Sequence, residues 1–263
     1  MKKYLVIGNP IDHSLSPKLH NYWIKKNNID AIYDKKLINE EDIENIVSEV
    51  KKNNIDGINV TVPFKQKVIP FVDKLTPEAN ESQSINTIYK ENDKIIGHNT
   101  DMAGFELGLR HINFSVKDKK VFILGAGGVV SSIILILKKM GASKIFLSNR
   151  TKKKAEKLKK SFSYLEIVDW GEIPEFDMII NATSLGLKKN DEINLDYGDI
   201  GTNKFYYDII YNPKQTIFLK RAKMFGNQAE NGKMMFIYQA HQAFTIWHKI
   251  MPEIDDETIK LLD

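Results

Sequence analysis

The segment 119–154, KKVFILGAGGVVSSIILILKKMGASKIFLSNRTKKK, constrains the fold of this chain more than any other. Its apolar run at 121–124 has the length and composition of a buried parallel strand. The run stops at the glycine-rich turn 125–128, and the apolar residues that follow predict a helix over 129–140. Lys144–Ser148 then predicts a second strand. A βαβ unit of ordinary length is therefore expected around this turn.

The glycine-rich turn has the composition of a phosphate-binding turn. Gly125 and Gly127 permit backbone conformations closed to larger residues, and they let a pyrophosphate approach the N–H groups that open the next helix. A NAD-dependent enzyme usually carries Asp or Glu after the second strand, but here that segment reads SNRTKKK. Arg150, Thr151 and Lys154 suit a ribose 2′-phosphate, because charge-assisted hydrogen bonds favour a dianion. We therefore predict NADP(H) rather than NAD(H).

The turn by itself leaves a second class of enzyme open. Val130 stands where the dinucleotide fingerprint expects a third small residue, and S-adenosylmethionine-dependent methyltransferases use similar turns. The ribose-binding carboxylate that such methyltransferases usually present is also missing after Ser148. A dinucleotide is the better prediction for this turn.

Composition narrows the class of protein further. At 263 residues and 42% hydrophobic content, the chain can bury one large core or two smaller ones, and two domains are the better prediction for an α/β sequence. The net charge of +4 fits small anionic ligands but not a nucleic-acid partner, so the basic run 152–160 is interpreted as a solvated helix face. The lack of cysteine excludes disulfides, thiolate zinc sites and a cysteine nucleophile. We expect no metal, no membrane partner and a soluble, cytoplasmic protein.

The residues before the βαβ unit alternate between strand and helix patterns, which predicts a largely parallel sheet. Ser16 and Pro17 fit the N-cap and the first position of the first helix. The turn at 91–93 lies between two strands and predicts a hairpin. The expected strands are 3–8, 31–37, 55–60, 85–90 and 94–98, and the expected helices are 16–23 and 40–52.

Polar residues collect at the ends of these elements: Ser14, Ser16, Asn59, Thr61, Lys65, Asn86 and Asp101. Together they offer hydroxyls, amides and one Lys/Asp pair, the groups that bind a small polyhydroxylated acid. Ligands of α/β sheets bind at strand carboxyl ends, which favours this interpretation. Structural interpretations remain open: Ser16 as a helix cap, Lys65 as a solvated lysine, Asn86 as a turn residue, and Asp101 as a cap acting through Arg110.

After the βαβ unit, further strands are expected at 165–168, 178–181 and 205–209, and helices at 233–249 and 255–262. The aromatic residues of the last helices, Phe236, Tyr238, Phe244 and Trp247, are interpreted as core. Gln239 is the polar exception among them.

Several motifs run from end to end of the chain in one order. They are GNPIDHSLSP at 8–17, NVTVPFK at 59–65, INT at 85–87, GHNTD at 97–101, GAGG at 125–128, NRT at 149–151, NATS at 181–184, Asp208 with YNP at 211–213, and Gly232 with YQA at 238–240. With these motifs the chain resembles the shikimate dehydrogenase family over essentially its whole length.

The resemblance implies an NADPH-dependent, reversible reduction of 3-dehydroshikimate to shikimate, on the route to aromatic amino acids. It implies Lys65 and Asp101 as the catalytic pair. The substrate-binding residues implied in the same way are Ser14, Ser16, Asn59, Thr61, Asn86, Tyr211 and Gln239. The implied NADP-binding residues are Gly125, Ala126, Gly127, Gly128, Val129, Asn149, Arg150, Thr151, Lys154, Thr183, Ile209 and Gly232.

The resemblance also implies an α/β fold of two domains. Residues 1–103, completed by the C-terminal helices 236–263, would form a substrate-binding domain with a mixed, mostly parallel sheet. Residues 104–235 would form a doubly wound Rossmann domain for NADP, with the active site in the cleft between the domains. The expected assembly is a monomer or a homodimer.

The sequence departs from the family pattern at three places. Gln83-Ser84 replaces Ala-Gly, Pro77 stands where an acidic residue is common, and Val129-Val130 replace small residues after the glycines. The last two put coenzyme contacts in question. The alternatives are a quinate/shikimate dehydrogenase that uses NAD, and a ligand-sensing protein without turnover, which the presence of both Lys65 and Asp101 disfavours.

Overall fold

The computed structural model describes residues 1–188 and 191–263 and has the predicted α/β fold with two sheets. The chain folds into two compact units, Met1–Phe105 with Ile237–Asp263, and Glu106–Phe236. The functional roles predicted for the domains 1–103 with 236–263 and 104–235 stay a prediction. No helix in the described residues is long and apolar enough to span a membrane.

The first unit contains a six-stranded mixed sheet of order β2-β1-β3-β5-β6-β4. β1 pairs in parallel with β2 and β3, β4 pairs in parallel with β6, and β5 runs antiparallel to β3 and β6. β1, β3 and β6 therefore end at one edge of the sheet. The elements of this part are β1 Lys2–Gly8, α1 Ser16–Lys26, β2 Ala31–Leu37, α2 Ile43–Lys51, β3 Gly57–Val60, β4 Lys74–Leu75, α3 Pro77–Ser82, β5 Thr87–Glu91, β6 Lys94–His98 and α4 Asp101–His111.

The predicted start of α1 is wrong by one residue. Leu15 is the N-cap, and Ser16 is the first helical residue. The backbone N–H of Ser16 donates instead to Ser14 Oγ, at 3.4 Å. Ser16 therefore does not cap this helix.

The helix predicted at 40–52 is also divided. A 3₁₀ turn at Glu40–Asp42 precedes α2, and the Asp42 carboxylate accepts a hydrogen bond from the Asn39 N–H at 2.9 Å. This capping contact ends the preceding loop and sets the direction of the helix. α2 buries Ile43, Ile46 and Val50 against the sheet, as its periodicity predicts.

The hairpin between β5 and β6 is confirmed. Glu91 pairs with Lys94, and both residues between them have positive φ, 49° at Asn92 and 59° at Asp93. Two left-handed residues in a two-residue loop match the right-handed twist of the strands. Asn and Asp tolerate this conformation better than most residues.

The second unit contains a parallel sheet of order β12-β11-β10-β7-β8-β9. This is the order of a doubly wound nucleotide-binding fold, with the reversal of strand order between β7 and β10. The prediction of a Rossmann domain is confirmed, but β12 and α8 were not predicted. The elements are β7 Lys120–Leu124, α5 Val130–Lys139, β8 Lys144–Ser148, α6 Lys152–Ser161, β9 Leu165–Ile167, β10 Met178–Asn181, α7 Tyr197–Ile200, β11 Phe205–Asp208, α8 Ile217–Met224 and β12 Gln228–Asn231.

Two helices complete the chain, α9 Lys233–His248 and α10 Asp256–Lys260. Two of the four aromatic residues predicted as core in α9 pack in the first unit: Phe244 and Trp247 are buried beside His20, Trp23 and Tyr33. Phe236 is buried but belongs to the second unit, and Tyr238 is only half-buried. His20 stacks on Tyr33 with ring centroids 4.1 Å apart. Burial in this apolar cluster lowers the pKa of His20 to about 3, so His20 is neutral at physiological pH.

The close contact between Trp247 in α9 and Gly57 in β3 should contribute to the stability of the first unit. A Cβ at Gly57 would lie 2.4 Å from the Trp247 indole nitrogen, which itself donates to the Ile88 carbonyl at 3.3 Å. We expect Gly57→Ala to lower the free energy of unfolding by about 1–3 kcal/mol, because the rigid indole must move. Thermal unfolding measures this effect.

The matched control is Gly198→Ala in α7, where the nearest atom to the new Cβ would lie at 3.4 Å, an ordinary contact. We expect this variant to unfold within about 0.5 kcal/mol of the wild type. Equal stability of both variants would contradict the packing described for Trp247.

Candidate active site

The predicted substrate residues of the first unit gather at one edge of its sheet. Ile7 pairs with Val60, so β1 and β3 end at the same level. Thr87 pairs with His98, so β6 ends where β5 begins. The segments next to these strand ends, including the first residues of α1 and α4, carry Ser14, Ser16, Thr61, Lys65, Asn86 and Asp101.

Lys65 and Asp101 form a nearly buried ion pair. Lys65 Nζ lies 2.5 Å from Asp101 Oδ2, and the side chains are 13% and 6% exposed. In the described part of the chain Asp101 is the only polar partner of the Lys65 ammonium. Two of its three N–H donors therefore remain for a ligand.

The backbone around Lys65 holds this ammonium in place. Phe64 is 2% exposed and packs in the core, while the Phe64 N–H closes a turn onto the Thr61 carbonyl at 2.9 Å. The Lys65 carbonyl accepts from the Ile85 N–H at 2.8 Å. Lys65 is therefore not the solvated surface lysine that its residue type alone would suggest.

Asn86 connects the pair to the surrounding strands. Its Nδ2 group lies 3.0 Å from Asp101 Oδ1, 2.8 Å from Thr100 Oγ1 and 3.4 Å from Gln239 Oε1. Its Oδ1 accepts from the Thr100 N–H at 2.8 Å and from Thr87 Oγ1 at 3.0 Å. A buried amide with this many partners has a fixed orientation, so Asn86 is an organising residue rather than a simple turn residue.

Both the oxygen and the nitrogen of the Asn59 side-chain amide form hydrogen bonds with other residues of the protein. Its Nδ2 donates to the Asn86 carbonyl at 3.0 Å and lies 3.2 Å from Thr87 Oγ1. Its Oδ1 accepts from the Tyr33 hydroxyl at 2.7 Å. Both amide hydrogens thus have protein partners, which favours a positioning role, and the substrate role of Asn59 stays a prediction.

The hydroxyls near the end of β1 have fewer partners. In the described part of the chain the hydroxyl oxygens of Ser16 and Thr61 have no protein hydrogen bond, and Ser14 Oγ accepts only the Ser16 N–H. Gly8 makes room for them, since a Cβ there would lie 2.5 Å from Thr61 Cγ2. These hydroxyls are chemically able to bind a polyol or a carboxylate.

The residue that sets the start of α4, Asn99, was not among the predicted site residues. Asn99 Oδ1 accepts from the N–H groups of Asp101 at 3.0 Å and Met102 at 3.3 Å, so Asn99 provides the cap. The alternative role of Asp101 as a cap acting through Arg110 is wrong, because Arg110 pairs with Glu106. An Asn two residues before an Asp at a strand end was the available signal.

The glycine-rich turn of the second unit fits a pyrophosphate. Gly125 has φ of 108°, and a Cβ there would lie 2.6 Å from the Ala182 carbonyl oxygen, so only glycine fits. At Gly127 the nearest atom to a new Cβ would lie at 4.0 Å, which leaves open space above the turn. No side chain caps the N-terminus of α5, whose N-cap is Val129. The Val130 N–H donates to the Gly127 carbonyl at 3.1 Å, and the helix dipole favours an anion at this end of the helix.

The structure shows why valine is tolerated at position 130, where the dinucleotide fingerprint expects a small residue. Val130 begins α5 and is fully buried, as are Ile133 and Ile134 on the same helix. A fully buried side chain does not occupy the open space at Gly127, which is exposed. This substitution does not obstruct the turn.

The basic segment after β8 also fits its predicted partner. Asn149 Nδ2 donates to the Thr151 carbonyl at 2.8 Å and shapes the loop. Arg150, Thr151 and Lys154 are exposed, and within the described residues neither cation has an ion-pair partner. The neighbouring Lys152 differs, because it pairs with Asp169 at 2.6 Å. Unpaired cations at this strand end suit a 2′-phosphate.

The other predicted coenzyme residues lie at the ends of β10, β11 and β12. Thr183 follows β10, where its N–H and hydroxyl bind Asn181 Oδ1 at 3.0 and 2.7 Å. Ile209 follows β11 and Gly232 follows β12, and a Cβ at Gly232 would lie 2.2 Å from the Ile209 carbonyl oxygen. Tyr211, predicted to bind substrate, lies in this unit and stacks on Phe236 with ring centroids 4.2 Å apart.

In the described ranges no group of three or more His, Asp or Glu side chains is arranged to hold a metal ion. The first unit brings a Lys/Asp pair together with hydroxyls and amides, and the second unit has a glycine-rich turn that fits a phosphorylated nucleotide. A nicotinamide-dependent oxidoreductase of two α/β units is the class of protein that this fold and these sites define.

Comparisons with known proteins agree with that class. A family model described as shikimate dehydrogenase substrate binding domain matches residues 6–88, and one described as shikimate / quinate 5-dehydrogenase matches 106–189. A shikimate dehydrogenase (NADP(+)) of Pelagibacter ubique is 61% identical over 262 residues, which cover 100% of this chain and 99% of that protein. The chain belongs to the shikimate dehydrogenase family.

Solved structures show the same fold. The shikimate 5-dehydrogenase of Thermus thermophilus in complex with NADP(H) and shikimate superposes with a TM-score of 0.90 at 27% identity, covering 100% of this chain and 98% of that one. The shikimate 5-dehydrogenase of Listeria monocytogenes in complex with shikimate and NAD gives a TM-score of 0.90 at 27% identity, covering 100% and 96%.

The buried carboxyl of Asp208 should make the free energy of unfolding depend on pH. Burial raises the pKa of its carboxyl from 3.8 to about 6, against the hydrogen bonds from Thr216, Ile210 and Asn181 that lower it. The folded protein therefore holds a proton that the unfolded chain has lost between about pH 4 and 6. This contribution to stability is complete below pH 4 and is lost as the pH rises through 6, a change of about 3 kcal/mol.

Urea unfolding of the wild type and Asp208→Asn between pH 4 and 7 measures this contribution. The amide does not titrate, so the difference in free energy of unfolding between the two proteins should change by about 3 kcal/mol over this range. A constant difference would mean that the carboxyl of Asp208 titrates alike in the folded and unfolded states.

Proposed function

We propose that this protein catalyses the reversible, NADPH-dependent reduction of 3-dehydroshikimate to shikimate through Lys65 and Asp101, with Met1–Phe105 and Ile237–Asp263 as the substrate-binding unit and Glu106–Phe236 as the NADP-binding unit. The activity is that of the family to which the chain belongs, an oxidoreductase of aromatic amino acid biosynthesis. The observation that carries the residue assignment is the buried Lys65–Asp101 pair, with Lys65 N–H donors left for a ligand.

The coenzyme supplies a hydride to the carbonyl carbon when it is bound, and negative charge then develops on the carbonyl oxygen. The Lys65 ammonium can hydrogen-bond that oxygen and donate a proton to it. The Asp101 carboxylate holds the ammonium at 2.5 Å and stabilises its charge. In the oxidation direction the same pair accepts the proton of the shikimate hydroxyl.

The remaining polar groups of this sheet edge are assigned to the substrate. Ser14, Ser16 and Thr61 offer hydroxyls with few or no protein partners, which suits the carboxylate and ring hydroxyls of shikimate. Gln239 lies within 3.4 Å of the Asn86 amide and extends the same hydrogen-bonding surface. Tyr211 lies in the NADP-binding unit, and its substrate role is the part of the assignment with least geometric support.

NADP is the coenzyme of the curated relative, and the residues present fit it. The proposed contacts are the Gly125–Val129 turn for the pyrophosphate and Arg150, Thr151 and Lys154 for the 2′-phosphate. The Gly125 N–H itself donates to the Ser148 carbonyl at 2.8 Å, which holds the turn against β8. Asn149, Thr183, Ile209 and Gly232 are proposed to line the rest of the site. No acidic residue stands at Ser148–Lys154 to prefer the free ribose hydroxyl of NAD.

The second candidate function is a shikimate/quinate dehydrogenase that uses NAD. It is favoured by the description of the second family model and by the NAD present in the Listeria monocytogenes structure. Purified protein with shikimate or quinate, and NADP+ or NAD+, decides between them by the absorbance of reduced nicotinamide. We expect shikimate with NADP+ to have the highest kcat/KM, and absence of turnover with every pair would contradict an enzyme function.

We predict that Lys65→Ala lowers kcat for shikimate oxidation by about a thousandfold, because general acid–base catalysis and oxyanion stabilisation are both lost. NADP+ affinity, measured by calorimetric titration, should change less than about twofold, since Lys65 belongs to the other unit. Lys67→Ala is the matched control, because Lys67 is an exposed lysine that pairs with Glu40. A parallel loss of kcat and coenzyme affinity would indicate a structural role for Lys65.

We predict that Arg150→Ala combined with Lys154→Ala raises the KM for NADP+ by about 10–100-fold, because charge-assisted hydrogen bonds to the 2′-phosphate are lost. The KM for NAD+, which lacks this phosphate, should hardly change. Lys153→Ala controls for the general loss of positive charge in the same run of lysines. Equal effects on both coenzymes would contradict the assignment of these two cations.

A further inference from the structure

Asp208 is a buried carboxylate that the proposed reaction does not use. It ends β11 and has no solvent exposure. Within the described residues no Lys, Arg or His pairs with it, and its partners are neutral donors. A buried anion without a cation is costly, and the hydrogen bonds to Asp208 offset part of that cost.

The donors to Asp208 come from three separate segments. Asn181 Nδ2, at the end of β10, donates to Oδ1 at 3.0 Å. The Ile210 N–H, in the loop after β11, donates to the same oxygen at 3.0 Å. The Thr216 hydroxyl donates to Oδ2 at 2.6 Å, and Thr216 is the N-cap of α8. One carboxylate thus joins the ends of two neighbouring strands to a helix start.

Two of these segments carry proposed coenzyme contacts. Asn181 uses its other side-chain atom, Oδ1, to hold the N–H and hydroxyl of Thr183. The bond from Ile210 fixes the backbone just after Ile209, whose carbonyl packs against Gly232 so closely that no Cβ fits there. Asp208 is therefore hydrogen-bonded to Asn181, the residue that holds Thr183, and it directly precedes Ile209 in the chain.

We propose that Asp208 is a positioning residue for the coenzyme, which fixes the loops of Thr183 and Ile209 through Asn181 and Ile210. This inference rests on the proposed assignment of those loops to NADP. Its carboxylate touches neither substrate nor coenzyme, since both oxygens are enclosed by protein donors. Loss of the carboxylate should thus weaken NADP binding although no coenzyme contact is removed.

The test is calorimetric titration of NADP+ into the full chain. Asp208→Ala leaves three donors without an acceptor, and we expect it to weaken NADP+ binding at least tenfold. Asp208→Asn is the conservative variant, because its Oδ1 still accepts from Asn181 and Ile210 while its Nδ2 donates to Thr216 Oγ1. We expect it to restore binding to within threefold of the wild type.

A matched core variant separates positioning from loss of stability. Ile179→Ala, in the buried middle of β10, destabilises the same sheet without touching the Asp208 hydrogen bonds. We expect its NADP+ affinity to stay within threefold of the wild type. Equal weakening by Ile179→Ala and Asp208→Ala, or wild-type affinity in Asp208→Ala, would overturn the proposal.

If Asp208→Ala does not fold, Asn181→Leu decides, because it removes the side chain that links Asp208 to the Thr183 loop at nearly constant volume. We expect it to weaken NADP+ binding about threefold or more, and unchanged affinity would overturn the proposal. The proposed function fails separately: wild-type protein that binds NADP+ but does not oxidise shikimate would refute the activity and leave the role of Asp208 standing.

Discussion

The hydrogen bonds of Asn86 are the constraint on which the proposed active site depends. The Asn86 backbone joins neighbouring strand ends, since its carbonyl accepts from the Val60 N–H at 2.9 Å and its N–H donates to the His98 carbonyl at 3.1 Å. Its side chain meets Thr100 and Asp101 at the start of α4. Removal of one partner would leave buried polar groups unpaired, which costs more than the bond itself contributes. Asn86 therefore fixes the Asp101 carboxylate, whose backbone is held by Asn99, and through that carboxylate it orients the Lys65 ammonium.

Both units place a buried polar network at the edge where parallel strands end. In the first unit Asn59 and Asn86 join the ends of β3 and β6. In the second, Asn181 and Asp208 are register partners on β10 and β11, and they join these strands to α8. In each case the network lies behind groups that are proposed to meet a ligand. Rigid support of this kind lets short, exposed loops hold reactive groups at fixed distances.

Much of this arrangement could be predicted because it has local signals. Gly125 and the apolar run before it predict the glycine-rich turn. The φ of 108° at Gly125 shows why glycine is needed there. Lys144–Ser148 and Lys94–His98 were predicted with the bounds that the structure has. The motif order identified the family, which the comparisons show, whereas the roles of the individual site residues remain predictions.

The missed features depend on contacts between distant residues. Nothing beside Tyr33 in the sequence indicates that its hydroxyl binds Asn59, 26 positions later. From the sequence, Asp208 was recognised only as part of a motif. Its role depends on hydrogen bonds from Asn181 and Thr216, which only the folded structure shows. The cap predicted at Ser16 failed for a local reason: the Leu15 carbonyl already accepts from the Leu19 N–H at 3.2 Å, so the helix starts one residue earlier. Short elements such as β12 and α8 gain their stability from the sheet rather than from their own pattern.

The most direct test of this account is the steady-state kinetics of Asn86→Ala with shikimate and NADP+. If Asn86 orients Asp101 and Lys65, kcat should fall by about a hundredfold or more, because the acid–base pair loses its geometry. The KM for shikimate should rise as well, while the KM for NADP+ stays near the wild-type value. An unchanged kcat with only a raised KM for shikimate would contradict the account, since Asn86 would then bind the substrate without organising the catalytic pair.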